Sequence, residues 1–209
     1  MCGIAGYIGQ IPNSSNCLEA MVREIHHRGP DDRGIWKNDE AGIGLAHARL
    51  SILDLSSAGH QPMHSVSKNF VIVFNGEIYN HKNLRSELDS HSHINWSGHS
   101  DTETLLAAIE CWGLEKTLKK TKGMFAIALW DTQKHTLHLA RDRFGEKPLY
   151  YGWVTTASTA ASAFVFGSEL KALRAYPGFA NPVSREALAM FMRFTYVPSP
   201  YSIYQNIFK

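Results

Sequence analysis

The sequence predicts an α+β layered fold, with strands concentrated in the middle of the chain and helices set between them. Three observations carry that prediction. Short apolar runs of strand length recur from residue 3 to residue 167, each bounded by turn-prone residues. Longer segments repeat their apolar residues at helical spacing, and several start at a serine suited to capping. The chain has 209 residues, 44% of them hydrophobic, enough to bury a core without disulfides or metal.

In order, residues 3–9 are apolar and glycine-punctuated and read as a first strand. Ser14 or Ser15 caps a helix running to about His26, with Leu18, Met21, Val22 and Ile25 on one face. Gly29-Pro30 ends it, so residues 28–32 form a loop. Short strands follow near 33–37 and 42–48. The β-rich run 70–74 then meets Asn75-Gly76, the strongest short-range turn signal in the chain, and a hairpin turn is expected there. Ile78 and Tyr79 precede a helix at about 80–89. Ser100 with Glu103 makes a capping box, opening a helix with Leu105, Leu106, Ile109 and Trp112 inward. A short helix covers 114–120, followed by strands at 124–131, 135–141, 149–154 and 164–167. A loop or hairpin tip is expected at 155–163. A last helix, 184–194, stops before Pro198 and Pro200.

Composition narrows the function. A net charge of +2 gives no electrostatic reason to invoke nucleic acid or an anionic membrane. No apolar run approaches the ~18 residues of a membrane span, and no signal peptide is visible at the N-terminus. Cys2, Cys17 and Cys111 are too few and too scattered for a disulfide framework, and a reducing cytoplasm is their simplest home. Among eleven histidines, only His26-His27 and His91-x-His93 are close pairs. No cysteine or carboxylate cluster completes a ligand set around them, so no metal site is expected. Phosphate-loop and dinucleotide-binding glycine patterns are absent.

The residue richest in chemistry is Cys2. Removing Met1 would make it the N-terminus, placing a thiol and a free α-amino group on one residue. That amine has an ordinary pKa of roughly 7.7 to 8.0, suited to shuttling a proton, whereas the thiol alone is only a few per cent thiolate at pH 7. The plainer reading is a buried cysteine at the start of the first strand.

Several segments, in order, resemble one family. Cys2-Gly3-Ile4, His27-Arg28-Gly29-Pro30-Asp31, His47-Ala48-Arg49-Leu50-Ser51-Ile52 and Gln61-Pro62-Met63 are followed by Phe74-Asn75-Gly76-Glu77-Ile78-Tyr79-Asn80 and Ser100-Asp101-Thr102-Glu103. Gly123-Met124-Phe125-Ala126, Arg141-Asp142-Arg143-Phe144-Gly145 and Lys147-Pro148-Leu149-Tyr150-Tyr151 complete the series. Together they resemble the glutaminase domain of glutamine-dependent asparagine synthetases, more than the related domains that serve glucosamine-phosphate, phosphoribosylamine or glutamate synthesis.

The resemblance implies an N-terminal-nucleophile (Ntn) hydrolase fold, a four-layer αββα sandwich with two antiparallel sheets. It also implies class II amidotransferase chemistry: glutamine is hydrolysed to glutamate, and the ammonia passes to a second active site. Cys2 is then the nucleophile, with Asn75 and Gly76 as oxyanion donors, although Asn75-Gly76 also suits a plain turn. Arg49 is the ligand of the substrate α-carboxylate, and Asp101, with Glu77, the partner of its α-ammonium group. Arg28 and Gly29 belong to a loop closing over glutamine, and Leu50 and Ser51 line the pocket through their backbone. Helix-end stabilisation is the alternative role for Asp101, a surface salt bridge for Arg49, and a structural turn for Arg28 and Gly29. His47 is read as a hydrogen-bonded core or pocket residue and not a base, and Gln61-Pro62 and 141–151 as scaffold made of turn chemistry, strand packing and buried charge.

The expected organisation is a glutaminase domain over 2–195 and the start of a linker at 196–209. No cofactor is expected in this domain. The synthetase part, whose Ser-Gly-Gly-x-Asp-Ser loop is not in this sequence, is expected to use ATP and Mg²⁺ to amidate aspartate or a related carboxylate. Expected partners are glutamine and the synthetase domain or subunit that receives ammonia, with a homodimer left open. Two other readings stay open: a stand-alone amide hydrolase of the same fold, and a non-catalytic regulatory module that keeps Met1.

Overall fold

A computed structural model describes residues 1–11, 13–91, 94–155 and 162–209. The His91-x-His93 pair and most of the expected 155–163 loop lie outside the described residues. The elements run β1 (Gly3–Ile8), α1 (Ser14–Glu24), β2 (Asp32–Asn38), β3 (Ile43–Arg49), β4 (Met63–His64), β5 (Phe70–Ile78), α2 (His81–His91) and α3 (Asp101–Trp112). They continue with α4 (Leu114–Lys120), β6 (Gly123–Asp131), β7 (Thr136–Arg141), β8 (Tyr150–Thr155), β9 (Ser162–Gly167), α5 (Leu170–Arg174), α6 (Arg185–Phe194) and β10 (Ile207–Phe208). Short 3₁₀ turns cover His26–Arg28 and Ser57–Gly59. No helix among the described residues is long and apolar enough to cross a membrane.

Two antiparallel sheets result, a six-stranded one ordered β10-β8-β9-β1-β3-β2 and a four-stranded one ordered β4-β5-β6-β7. The period-two alternation of each strand divides its side chains between two layers. Ala5 and Tyr7 of β1, and Ala46 and Ala48 of β3, pack with Leu18, Met21, Val22 and Ile25 under α1. Ile4, Ile43 and Leu45 point the other way and meet Val71, Val73, Ala126, Ala128 and Trp130 between the sheets. Ile72, Phe74, Ile78, Ile127 and Leu129 form the third layer, against Leu84, Leu105, Leu106 and Ile109 of α2 and α3. Three buried layers between two sheets and two sets of helices make the αββα sandwich.

That alternation positions the site. Cys2 shares the parity of Ile4, His47 and Arg49 that of Ile43 and Leu45, and Asn75 that of Val71 and Val73. All four therefore turn into the space between the sheets.

Three local expectations are corrected. Asn75-Gly76 makes no hairpin turn: β5 continues through it to Ile78, with Asn75 opposite Ala126 and Gly76 opposite Phe125. A nine-residue strand pairing with β6 outweighs the local turn preference. The α1 cap is Asn13, in the left-handed region at φ 58°, and not a serine. The Ser14 hydroxyl donates instead to Asp39 Oδ1 at 2.7 Å and accepts from Lys37 Nζ at 2.9 Å. The Ser100 box is only half made. Its hydroxyl accepts from Glu103 N at 3.1 Å, but the Glu103 carboxylate takes the N–H groups of Ser97 (2.6 Å) and Gly98 (3.1 Å). Elements the sequence did not signal are β4, α5 and β10. Ile207 pairs with Gly152 and Phe208 with Tyr151, so the fold extends past residue 195.

At Gly6 the strands approach too closely for a side chain, because a Cβ there would collide with the Gly44 carbonyl oxygen and the Phe166 ring. Gly6→Ala is expected to destabilise the protein by about 1–3 kcal/mol, since sheet backbone and a buried ring cannot both give way. A urea midpoint equal to wild type would contradict this.

Candidate active site

Cys2 lies just ahead of β1, and the pairing of Gly3 with Ala48 brings it beside the end of β3. Its Sγ is 3.4 Å from the donating Leu50 N–H and 3.5 Å from the Leu50 carbonyl oxygen. The sulfur borders a cavity of about 140 Å³ whose wall also includes Arg49, Leu50, Asn75, Gly76, Glu77 and Asp101. Seven of the ten residues singled out from the sequence thus meet around one cavity. Met1, Gln61, Thr102, Met124 and Lys147 complete much of the remaining wall.

Arg28 and Gly29 are not on that wall. The Arg28 side chain turns behind the nucleophile, Nε donating to the Cys2 carbonyl at 2.9 Å and Nη1 to Glu169 Oε1 at 2.9 Å. Glu169 also takes His27 Nε2 at 2.9 Å and Lys171 Nζ at 3.3 Å. Burial works against this carboxylate, but the hydrogen bonds from Arg28, His27 and Lys171 outweigh it and hold its pKa below the usual range. Gly29 lets the chain lie against the backbone of Ala48 and Arg49, where a Cβ would collide. Ser51 also stands outside the cavity, its N–H bonded to Asp31 Oδ2 at 2.8 Å. The 28–31 turn braces the first residues of the chain.

The opposite wall is an open sheet edge. β4 covers β5 only at Val71 and Ile72, so the edge beyond is unpaired. Phe125, opposite Gly76, gives its N–H to Asp142 Oδ2 (3.2 Å) and its carbonyl to Asp142 N (2.8 Å). Both its groups face away from β5, so the Gly76 amide faces away from β6. Along the open edge, Phe74 N donates to Gln61 Oε1 at 2.7 Å and Ile78 N to Asp101 Oδ2 at 2.9 Å. The Gly76 N–H lies between these two and faces the cavity. Beside it the Asn75 side-chain nitrogen is buried and has no partner among the described residues. An unmet buried donor costs about 1–3 kcal/mol, so it is poised for an acceptor that enters the cavity.

Charge completes the picture. Arg49 Nη1 donates to the Ser56 carbonyl at 2.9 Å and Nη2 to the Asp54 carbonyl. Among the described residues no carboxylate pairs with it, so its charge and remaining N–H groups stay available. Asp54 is held down to about 2 by the Ser56 hydroxyl and the His99 N–H, which fixes the loop around the guanidinium. Asp101 is 6% exposed, and burial pushes it up to about 6 against the N–H groups of Ile78 and Thr102. Burial likewise pushes the Cys2 thiol up, with the Leu50 N–H opposing, so sulfur rests as a thiol that needs a base. His47 is not that base. It is fully buried, held down to about 4 by desolvation, and donates from Nε2 to the Phe74 carbonyl at 3.0 Å, tying β3 to β5.

Glu169 carries no periodic signal and the sequence does not single it out. Lys147 stands in the 141–151 stretch read as scaffold, and the structure puts it on the cavity wall. A larger, open groove of about 1060 Å³, lined by Ile8, Leu139, Arg141, Phe144 and Trp153, lacks the Cys2–Asn75–Gly76 set.

The family model described as a glutamine amidotransferase domain matches residues 1–209. The chain is 36% identical over 214 residues to asparagine synthetase [glutamine-hydrolyzing] 1 of Bacillus subtilis (strain 168), covering 100% of this chain and 32% of that protein. It is 36% identical over 194 residues to asparagine synthetase [glutamine-hydrolyzing] 3 of the same organism, covering 90% of this chain and 30% of the relative. It therefore spans less than half the length of the curated relatives it matches. Among solved structures, a glutamine phosphoribosylpyrophosphate amidotransferase from B. subtilis complexed with ADP and GMP superimposes with a TM-score of 0.68. The two share 20% identity, and the match covers 88% of this chain and 45% of that one. The fold is that of the Ntn hydrolases.

Asp101 gives a stability test. Its folded pKa of about 6 exceeds the ordinary 3.8, so the folded chain binds more protons between those values and loses stability as pH rises through them. The loss reaches about 3 kcal/mol by pH 7. Asp101→Asn keeps an acceptor for Ile78 N–H and should remove this fall. Denaturant titrations from pH 4 to 7 that show the same slope for both proteins would contradict it.

Proposed function

Because the chain belongs to the glutamine amidotransferase domain family, we propose that it hydrolyses the side-chain amide of glutamine with Cys2 as nucleophile and releases ammonia to a synthetase partner. The observation that carries the reading is the cavity itself. A thiol lies on one wall, an unpaired Asn75 amide and the Gly76 N–H on another, and Arg49, Asp101 and Glu77 line it as well. That charge pattern suits the head group of a free amino acid.

Once Met1 is removed, the Cys2 α-amino group takes the thiol proton, directly or through one water. The sulfur attacks the amide carbon, and the carbonyl oxygen becomes an oxyanion held by Asn75 Nδ2 and Gly76 N–H. The tetrahedral intermediate collapses to a thioester as the amine returns the proton to the departing nitrogen, releasing ammonia. Water, giving a proton to the same amine, attacks the thioester. Glutamate leaves and the thiol is restored. Arg49 holds the α-carboxylate, for which a planar guanidinium suits bidentate binding. Asp101 and Glu77 take the α-ammonium group.

The similarity to much longer glutamine-hydrolysing asparagine synthetases supports ammonia delivery to ATP-dependent amidation of aspartate or a related carboxylate. ATP and Mg²⁺ belong to that synthetase part; a cavity of about 140 Å³ suits one small amino acid and not a nucleotide. The three free thiols support a cytoplasmic setting.

One observation favours a second reading. Met1 borders the cavity, and while it stays attached the Cys2 nitrogen is an amide and no base. A chain that retains Met1 would be a non-catalytic module, and an intact mass distinguishes the two.

Protein lacking Met1 is expected to convert glutamine to glutamate, and Cys2→Ala to abolish this without loss of fold. Turnover in that variant would rule out the mechanism. Asn75→Ala is expected to lower kcat by about 10²–10³; a kcat within a few-fold of wild type would remove Asn75 from the oxyanion site. Arg49→Lys is expected to raise the glutamine KM with a smaller effect on kcat; an unchanged KM would take Arg49 out of the pocket.

A further inference from the structure

His47 is a polar side chain where packing alone calls for an apolar one. It stands on β3 opposite Ile4 of β1 and is fully buried. Its Nε2–H reaches across to β5 and donates to the Phe74 carbonyl at 3.0 Å. The other ring nitrogen, Nδ1, is buried with no partner among the described residues. An unmet buried polar atom costs about 1–3 kcal/mol, which a leucine or methionine in the same place would avoid. What the imidazole adds in return is one bond.

Among the described residues, that bond is the one hydrogen bond between a strand of the six-stranded sheet and a strand of the four-stranded sheet. Ile4, Ile43 and Leu45 meet Val71 and Val73 around it through apolar packing. Apolar packing is non-directional, so it holds two sheets together without fixing how one sits along the other. A hydrogen bond weakens steeply off its line and does fix that.

Both ends of the bond lead to the site. On the His47 side, Arg49 is the next residue of β3 with the same parity, and Cys2 leads into the neighbouring β1. On the other side, the Phe74 carbonyl belongs to the peptide that enters Asn75, with Gly76 next. Gln61 Oε1 accepts the Phe74 N–H at 2.7 Å, so both open-edge groups of Phe74 are gripped by side chains.

We propose that His47 is a positioning residue for the reaction: by gripping the Phe74 carbonyl it sets the spacing between the Cys2 sulfur and the oxyanion donors, Asn75 Nδ2 and Gly76 N–H. The inference rests on the glutaminase reading.

Its effect falls on the transition state. The substrate head group meets Arg49, oriented by the Ser56 and Asp54 carbonyls, and Asp101, oriented by the Ile78 N–H. Neither orientation uses the His47 bond. The developing oxyanion does depend on donors at the right spacing, and a misplacement of about 1 Å can cost about a hundredfold. Desolvation keeps the ring neutral, so His47 contributes a donor and not a charge.

The test is steady-state kinetics on glutamine for Met1-free wild type, His47→Met, His47→Gln, Asn75→Ala and the double variant His47→Met with Asn75→Ala. His47→Met is expected to lower kcat by about ten- to a hundredfold, with KM within about threefold of wild type. His47→Gln, whose amide N–H can reach the same carbonyl, should restore kcat to within about fivefold of wild type. In the Asn75→Ala background His47→Met should cost only about threefold, because one of the donors it positions is gone. An unchanged kcat in His47→Met, a loss carried by KM, or an equal loss in both backgrounds overturns the proposal. Should His47→Met not fold, the ¹⁵N–¹H spectrum of the wild-type histidines decides. An Nε2–H tautomer at His47 supports the proposal, and an Nδ1–H tautomer overturns it. A wild type that leaves glutamine intact would refute the glutaminase reading and the proposal together, whereas turnover kept in full by His47→Met would overturn the proposal alone.

Discussion

The antiparallel register of β1 on β3 is the constraint on which the site depends. With Gly3 opposite Ala48 and Ile8 opposite Ile43, the residue ahead of β1 must lie beside the residue after β3, and this is how the Cys2 sulfur comes to face both backbone groups of Leu50. A one-residue slip of β1 against β3 would turn Cys2 and Ile4 toward α1 and bring Ala5 and Tyr7 between the sheets. The glycines of these strands permit that register by close approach. Gly6 and Gly44 meet where neither strand has room for a Cβ.

The second sheet contributes an edge. β5 is longer than β4, and its uncovered end presents the N–H groups of Phe74, Gly76 and Ile78 in one direction. Two of the three are met by side chains, Gln61 Oε1 and Asp101 Oδ2. Such satisfied neighbours hold the strand still, and rigidity is what makes a fixed donor effective against developing charge. An open sheet edge is ordinarily a liability, and here it forms the wall of a cavity. Gln61 also donates to Thr102 at 3.2 Å, so α3 and β5 are tied at the point where the substrate head group would bind.

Electrostatics within so small a volume follow from burial as much as from charge. Desolvation raises Cys2 and Asp101 and lowers His47, so burial favours the neutral form of each. The cations meet different circumstances. Arg28 is neutralised by Glu169, Arg49 is held by carbonyls, and Lys147 meets only a sulfur.

Much of this was legible in the residues. The layered α+β class, the α1 face of Leu18, Met21, Val22 and Ile25, and the Ser184 cap of α6, which accepts Ala187 N at 3.2 Å, follow from spacing and local chemistry. Those depend on neighbours a few positions apart. Asn75-Gly76 misled because its local signal is a turn, whereas its partner, Ala126-Phe125, lies some fifty residues on. Nothing local shows that Glu169, 141 positions from Arg28, draws its side chain behind Cys2. Lys147 reads as scaffold and buried charge, which fits its 5% exposure, but nothing local shows that it borders the cavity of Cys2. The order of residues alone determined which atoms can act as nucleophile, donor and counter-charge, and on which side of each strand they sit. Only the packing of one sheet on the other decided which of them share a cavity, because that depends on register and burial across long separations, which no local pattern encodes.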